Sequence, residues 1–272
     1  MKCLALILAA ALVGCAPAEN RSAQVGGETA SETVSEPPTL PEVEGEWRVL
    51  SINGKALPEK LANGKVPKLT LGADRVGGFL GCNSFGSLAL YADGRFATHN
   101  WSGTAMYCDG IIQQEEALSR LFFEHPVVTR GGNELVVRSD NHEAVLAYIG
   151  PASASSFDPA PQAIAGSRWR ISLVDGSEAS SDPEDRFLAF SVDGWRGLAS
   201  CATLSGSYRR KGNRLVVGEE IVTTFQNCPP EYAARDDAFA ALMASDPRYL
   251  IGPNGELIMA GGGHCLTGGR AE

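Results

Sequence analysis

The feature that most constrains this chain is a cysteine-containing segment that occurs twice. Four pairs of matching residues are separated by 119 to 122 positions: Trp47 and Trp169, Cys82 and Cys201, Cys108 and Cys228, and His142 and His264. Four offsets that agree so closely indicate an internal duplication. The 272 residues therefore divide into two units of ordinary domain size rather than one large domain.

The pattern inside each unit predicts short antiparallel strands followed by one helix. In the first unit, Asp93-Gly94 is typical of a hairpin turn, and after Cys108 the apolar period becomes that of a helix. The stretch 229–244 is the matching helix of the second unit. We therefore predict an α+β fold, in which each unit packs a curved antiparallel sheet on one helix. The predicted units are 42–150, the first copy, and 163–272, the second copy, joined by a linker at 151–162 rich in Ser, Ala and Pro.

The N-terminus has the pattern of an export signal. An apolar run from Leu4 to Val13 follows Lys2 and is too short to cross a bilayer. It ends in Leu12-Val13-Gly14-Cys15, which resembles the bacterial lipobox. That resemblance implies a signal peptide at 1–14, lipid and acyl chains such as palmitate on Cys15, and, since Ala16 is not Asp, an outer-membrane location facing the periplasm. The alternative is an ordinary cleavable signal with an incidental cysteine.

Charge and composition exclude some functions and predict a tether. The net charge is −9, and residues 16–44 hold six Glu against the single Arg21. An acidic chain of this kind is unsuited to nucleic acid, whose binding requires Lys and Arg. Residues 15–41 contain few large apolar side chains, so we predict a disordered tether.

The motif residues resemble the META family, also called HslJ-like. Gly81 to Phe85 match its Gly-Cys-Asn-x-Phe element, although Gly86 stands one place early, and in the second unit Ser200, Ala202 and Phe225 depart from the pattern. The resemblance implies a small bacterial envelope lipoprotein or secreted protein associated with heat shock or drug resistance, with no established catalytic residues. The motif residues carried over are Trp47, Gly81, Asn83, Phe85, Thr104, Met106 and, in the second unit, Trp169.

The cysteines are assigned by the duplication and the predicted oxidising compartment. Pairing Cys82 with Cys108, and Cys201 with Cys228, closes two loops of nearly equal length. Four buried reduced thiols are the alternative. Cys265 is left over, and we expect a structural thiol rather than a nucleophile.

The sequence shows no pattern typical of catalysis, a metal or a cofactor. The histidines lack metal-ligand spacing, and the carboxylates fall on linkers and polar helix faces, where we expect them to be solvated. We expect Asn83 and Thr104 to bond to backbone in a turn. The leading hypothesis is a non-enzymatic, lipid-anchored protein that attaches to the membrane through Cys15 and either binds an unknown protein or small molecule or supports the envelope under stress. The alternatives are a thiol-redox protein or enzyme that uses Cys265, and a periplasmic inhibitor or ligand carrier.

Overall fold

A computed structural model describes residues 37–152, 163–178, 186–224 and 229–271. The predicted signal peptide, Cys15, nearly all of the tether, most of the linker and Cys228 lie outside these residues. No helix in the described ranges is both long and apolar enough to cross a membrane.

The first copy is a nine-stranded antiparallel sheet that closes on itself. Strand β1 pairs with β3 along one edge and with the last strand, β9, along the other, so the sheet forms a barrel to which the short β2 is added. The strands are β1 Gly45–Ile52, β2 Lys55–Ala56, β3 Lys68–Leu71, β4 Arg75–Phe79, β5 Ser84–Ala92, β6 Arg95–Gly103, β7 Val127–Gly131, β8 Glu134–Arg138 and β9 Glu143–Gly150, and the helices are α1 Leu40–Val43 and α2 Ile112–Phe123.

The second copy repeats this topology strand for strand. Strand β10 pairs with β12 and with the last strand, β18, and closes the second barrel. The elements are β10 Arg168–Val174, β11 Ser177–Glu178, β12 Phe187–Phe190, β13 Gly194–Leu198, β14 Thr203–Lys211, β15 Arg214–Thr224, α3 Pro230–Ala244, β16 Arg248–Ile251, β17 Glu256–Gly261 and β18 His264–Arg270.

The predicted antiparallel sheets are present, but the α+β description is only loosely met. Each copy is mostly β, because the sheet is a closed barrel and the one helix of more than a single turn covers a small part of the chain. The predicted hairpin at Asp93-Gly94 is confirmed, since Ala92 pairs with Arg95 and both turn residues have positive φ, 50° and 76°.

Alternating burial along the strands produces one core inside each barrel. Trp47 and Trp169, the residues that open the two copies, are both fully buried. Helix α2 adds Leu118, Leu121 and Phe122 to the first core. The interior of each barrel is therefore filled by side chains rather than by an open cavity.

A third apolar cluster contains side chains from both copies, and residues 36–272 form one compact unit. Two polar contacts accompany it: Asn100 Nδ2 donates to Glu256 Oε1 over 2.9 Å, and Gly262 N donates to Asp93 Oδ2 over 2.8 Å. In addition to the core inside each barrel, the two copies therefore share a third apolar cluster. Its buried members are Leu90, Ala92, Ala97, Leu250, Ile258, Ala260 and Cys265.

Candidate functional site

Three motif residues of the first copy, Asn83, Thr104 and Met106, meet where β5 begins. The buried Asn83 side chain accepts hydrogen bonds through Oδ1 from Thr104 Oγ1 at 2.9 Å and from Met106 N at 2.8 Å. Its Nδ2 donates to Met106 O over 3.0 Å, and Thr104 Oγ1 accepts from Ser84 N at 3.2 Å. The expected backbone bonds of Asn83 and Thr104 are therefore present. Their effect is to fix the 104–108 segment against the barrel.

A buried carboxylate from helix α2 completes this network. Glu115 is only 8% exposed, and its Oε1 accepts from Cys82 N at 3.0 Å and from Asn83 N at 2.8 Å. Its Oε2 accepts from Asn83 Nδ2 at 2.8 Å. The expectation that the carboxylates are solvated is wrong for Glu115, because two backbone N–H groups and an amide compensate its burial.

The second copy keeps the backbone half of the network. Asp236 on α3 is 6% exposed, and its Oδ2 accepts from Cys201 N at 3.0 Å and from Ala202 N at 2.8 Å. Because Ala202 stands where the first copy has Asn83, it cannot make the side-chain bonds that Asn83 makes. Glu115 and Asp236 are 121 positions apart, within the range of the other offsets, so this spacing was a usable signal that sequence reasoning missed.

A disulfide joins the two sides of the first network. Cys82 and Cys108 are bonded, with Cα atoms 5.9 Å apart, and so connect the entry to β5 with the segment that leads into α2. Cys201 is also disulfide-bonded, and its predicted partner Cys228 lies outside the described residues. The alternative of reduced thiols is wrong for Cys82, Cys108 and Cys201.

The segment held in this way presents two large side chains to solvent. Met106 is 54% exposed and Tyr107 is 80% exposed, although the Met106 backbone is fixed by Asn83. Nearby, the motif residue Phe85 stacks on Trp101 with ring centroids 5.1 Å apart. The result is an apolar tip on a covalently restrained loop.

The remaining motif residues have structural roles. Trp47 Nε1 donates to Val43 O over 2.9 Å, and Trp169 Nε1 donates to Ser167 Oγ over 2.7 Å, so each buried indole satisfies its polar group. Gly81 has φ of +146°, where a side chain would be strained, and an added Cβ would lie 3.2 Å from Leu61.

A second candidate site is a cavity of about 490 Å³ lined by residues of both copies. On its wall, His264 Nδ1 lies 2.8 Å from Asp175 Oδ2, while Asp175 Oδ1 accepts from Cys265 N at 2.8 Å. The cavity also exposes basic and acidic groups from the first copy. Its charged and ring-bearing lining residues are Arg95, Glu124, His125, Arg138, Asp140, Asp175 and His264.

The Cys265 thiol is poorly suited to nucleophilic chemistry at this cavity. Its side chain belongs to the apolar cluster between the copies and is 5% exposed. Burial raises its pKa to about 12, so the thiol is protonated at neutral pH. Asp175 and His264 are a hydrogen-bonded pair, but the neighbouring thiol lacks the thiolate character that attack requires.

His125 is the buried titratable group of the same cavity. Burial lowers its pKa to about 4, so the imidazole is neutral at physiological pH. Its Nδ1 lies 2.7 Å from Phe96 O, and because a carbonyl can only accept, Nδ1 carries the proton. Nε2 is then an acceptor.

Within the described ranges, no group of three or more His, Cys, Asp or Glu side chains is arranged to hold a metal ion.

Comparison with known proteins identifies one protein family that matches both copies. The family model described as META domain matches residues 39–149 and again residues 162–272. No curated protein matches the chain significantly. One NMR structure shares 18% identity and covers 41% of this chain and 96% of its own, with a TM-score of 0.36. An NMR structure from Burkholderia xenovorans shares 21% identity and covers 44% of this chain and 96% of its own, with a TM-score of 0.34.

A crystal structure of a DNA polymerase sliding clamp from Pseudomonas aeruginosa shares 8% identity over 75% of this chain and 56% of the clamp, with a TM-score of 0.21. TM-scores this low support no functional conclusion. The family matches together span well over half of the residues, and they coincide with the two closed sheets. The chain therefore belongs to the META domain family and contains two tandem copies of the domain.

Proposed function

We propose that this protein is a lipid-anchored, non-enzymatic component of the bacterial cell envelope that binds a protein partner through its first META domain. The anchor is proposed at Cys15, which follows Leu12-Val13-Gly14 at the end of an apolar run. The Cys82–Cys108 disulfide supports an exported protein, because structural disulfides persist in oxidising compartments. An outer-membrane location is proposed from the lipobox resemblance alone, and a role under envelope stress from the META family resemblance alone.

The observation that carries the binding role is the restrained, exposed tip of Met106 and Tyr107. A loop whose backbone is fixed by a disulfide and by Asn83 loses little backbone entropy when it binds, so it presents its exposed side chains from a pre-organised backbone. Tyr and Met are enriched at protein interfaces because they combine large contact area with adaptability. The proposed partner is a protein with an apolar recess that accepts both side chains.

The two alternative functions have less support. A thiol-redox role needs an accessible thiolate, whereas Cys265 is buried with its pKa raised to about 12. A ligand carrier that uses its curved sheet as a cup needs an open interior, whereas both barrels close around packed side chains. Partner binding through the exposed tip of Met106 and Tyr107 therefore has more support than either alternative.

The anchor is tested by replacing Cys15→Ala in the full chain. Because the apolar run is too short to anchor as a helix, the variant should lose palmitate labelling and move from the detergent phase to the aqueous phase. Continued palmitate labelling of the Cys15→Ala variant would contradict the lipid-anchor proposal.

Partner binding is tested by cross-linking in intact cells, followed by purification. The double variant Met106→Ala/Tyr107→Ala should lose the cross-linked species that the wild-type protein forms. Val192→Ala is the matched control, since Val192 is 88% exposed in the second copy and should leave the cross-link unchanged. A cross-link that survives the double variant, or that all three proteins lack, would contradict binding through this tip.

A further inference from the structure

The second copy has a cavity of about 590 Å³ whose lining is strongly basic. Three of its four arginines come from strands β10 and β18, and the fourth precedes β12. Within the described residues no carboxylate lines this cavity, although the whole chain carries a net charge of −9. The four arginines are Arg168, Arg170, Arg186 and Arg270.

Contacts with aromatic rings and backbone order three of these guanidinium groups. Arg168 lies over the Phe187 ring at 4.0 Å, and Arg270 lies over the Trp169 ring at 5.7 Å. Arg186 is 6% exposed and donates to Ser172 O over 3.4 Å. A guanidinium that stacks on a ring keeps its N–H edges available, so Arg168 and Arg270 are arranged as donors before a ligand arrives, while the buried Arg186 contributes its charge to the cavity wall.

The first copy provides an internal comparison at the same strand positions. Trp47 and Trp169 occupy equivalent places, so Glu46 corresponds to Arg168 and Arg48 to Arg170. Glu46 forms an ion pair with Lys68 at 2.8 Å. In the second copy Phe187 takes the place of Lys68, and among the described residues Arg168 forms no such ion pair.

The residue of the last strand that pairs with the tryptophan also differs between the copies. Strand β9 places Tyr148 beside Trp47, whereas β18 places Arg270 beside Trp169. Tyr148 packs edge-on against Trp47, with ring centroids 5.1 Å apart, so the first copy has a neutral ring where the second has a charge. At this position of the last strand the positive charge is therefore specific to the second copy, while the first copy has Arg130 over the Trp47 ring at 5.8 Å.

We propose that this cavity binds a phosphate group. Arginine forms paired hydrogen bonds with phosphate oxygens, and several like charges in one cavity favour a ligand with more negative charge than a single carboxylate. The volume admits a phosphate together with an attached group. Such a group can belong to a lipid headgroup or to a soluble phosphate compound. Asp182, Glu184 and Asp185 precede the cavity in the chain but lie outside the described residues.

The test is calorimetric titration of the purified full-length protein with two probes. Inorganic pyrophosphate represents free phosphate, and dihexanoyl phosphatidylglycerol below its micelle concentration represents a lipid headgroup. At least one probe should bind, and added NaCl should weaken its binding, because the attraction is between charges. Tighter binding of the lipid probe assigns the site to a headgroup, and tighter binding of pyrophosphate assigns it to a soluble phosphate.

Two variants locate the binding. Arg170→Gln removes an exposed guanidinium, and Arg270→Tyr installs the side chain that the first copy uses beside its tryptophan, so both should preserve the fold. Each should weaken binding about tenfold, the effect of losing one charge-assisted hydrogen bond. Arg48→Gln, at the matching position of the first copy, should bind like the wild type. Absence of binding by both probes, or equal weakening by Arg170→Gln and Arg48→Gln, would overturn the proposal.

Discussion

The variant His125→Asn should lose less of its free energy of unfolding in mild acid than the wild-type protein does. Burial lowers the pKa of His125 to about 4, whereas the ordinary value is 6.5. The unfolded chain therefore binds a proton in a pH range where the folded chain does not. Stability that depends on the neutral ring is fully present above the unfolded pKa and is lost as the pH falls towards the folded value. Between about pH 7.5 and about pH 4.5 this loss amounts to about 2.5 kcal/mol.

Asparagine is a suitable replacement for structural reasons. His125 has φ of +51°, a conformation that Asn tolerates better than most residues, and the Asn amide can donate to Phe96 O in place of Nδ1. The variant should therefore fold at neutral pH, with some loss of packing at the wall of the cavity between the copies.

Urea denaturation of both proteins across this pH range measures the effect. Carboxylates with shifted pKa values, such as Glu124 and Glu256, are common to both proteins and cancel in the difference between the two curves. The wild type should lose about 2.5 kcal/mol more than the variant on acidification. Proton NMR titration of the His125 ring in the folded protein should give a midpoint near 4. Parallel stability curves, or an NMR midpoint close to the ordinary value, would contradict a buried, neutral His125 in the folded protein.

Three further predictions concern the disulfide, the Glu115 network and the buried Cys265. Glu115→Ala should lower the free energy of unfolding by about 3 kcal/mol, because it leaves the N–H groups of Cys82 and Asn83 buried without an acceptor. A decrease of less than about 1 kcal/mol, measured by urea denaturation, would contradict this. Replacing both Cys82 and Cys108 by Ser should cost about 3.5 kcal/mol from the chain entropy of the opened loop, so a thermal midpoint equal to that of the wild type would argue against a structural disulfide. Cys265 should react with a thiol reagent only in denaturant, since its pKa is raised to about 12 by burial, and rapid labelling of the native protein would contradict its position between the copies.

The repeat, the tandem META domains and the positions of local elements can be read from the amino-acid sequence alone. Spacing and periodicity carry this information because they are local or directly duplicated, as in the Asp93-Gly94 turn and the pairing of Cys82 with Cys108. The backbone bonds of Asn83 followed from its side-chain chemistry in a turn.

Features that depend on residues far apart in the chain become visible only in the folded protein. Barrel closure requires β1 to meet β9 and β10 to meet β18, and no local pattern encodes that pairing. The sequence predicts a solvated Glu115 because a carboxylate is polar, and only the N–H groups that the fold brings to it make its burial favourable. The contact between the copies and the arginine cavity likewise arise from side chains that only the closed barrels bring together.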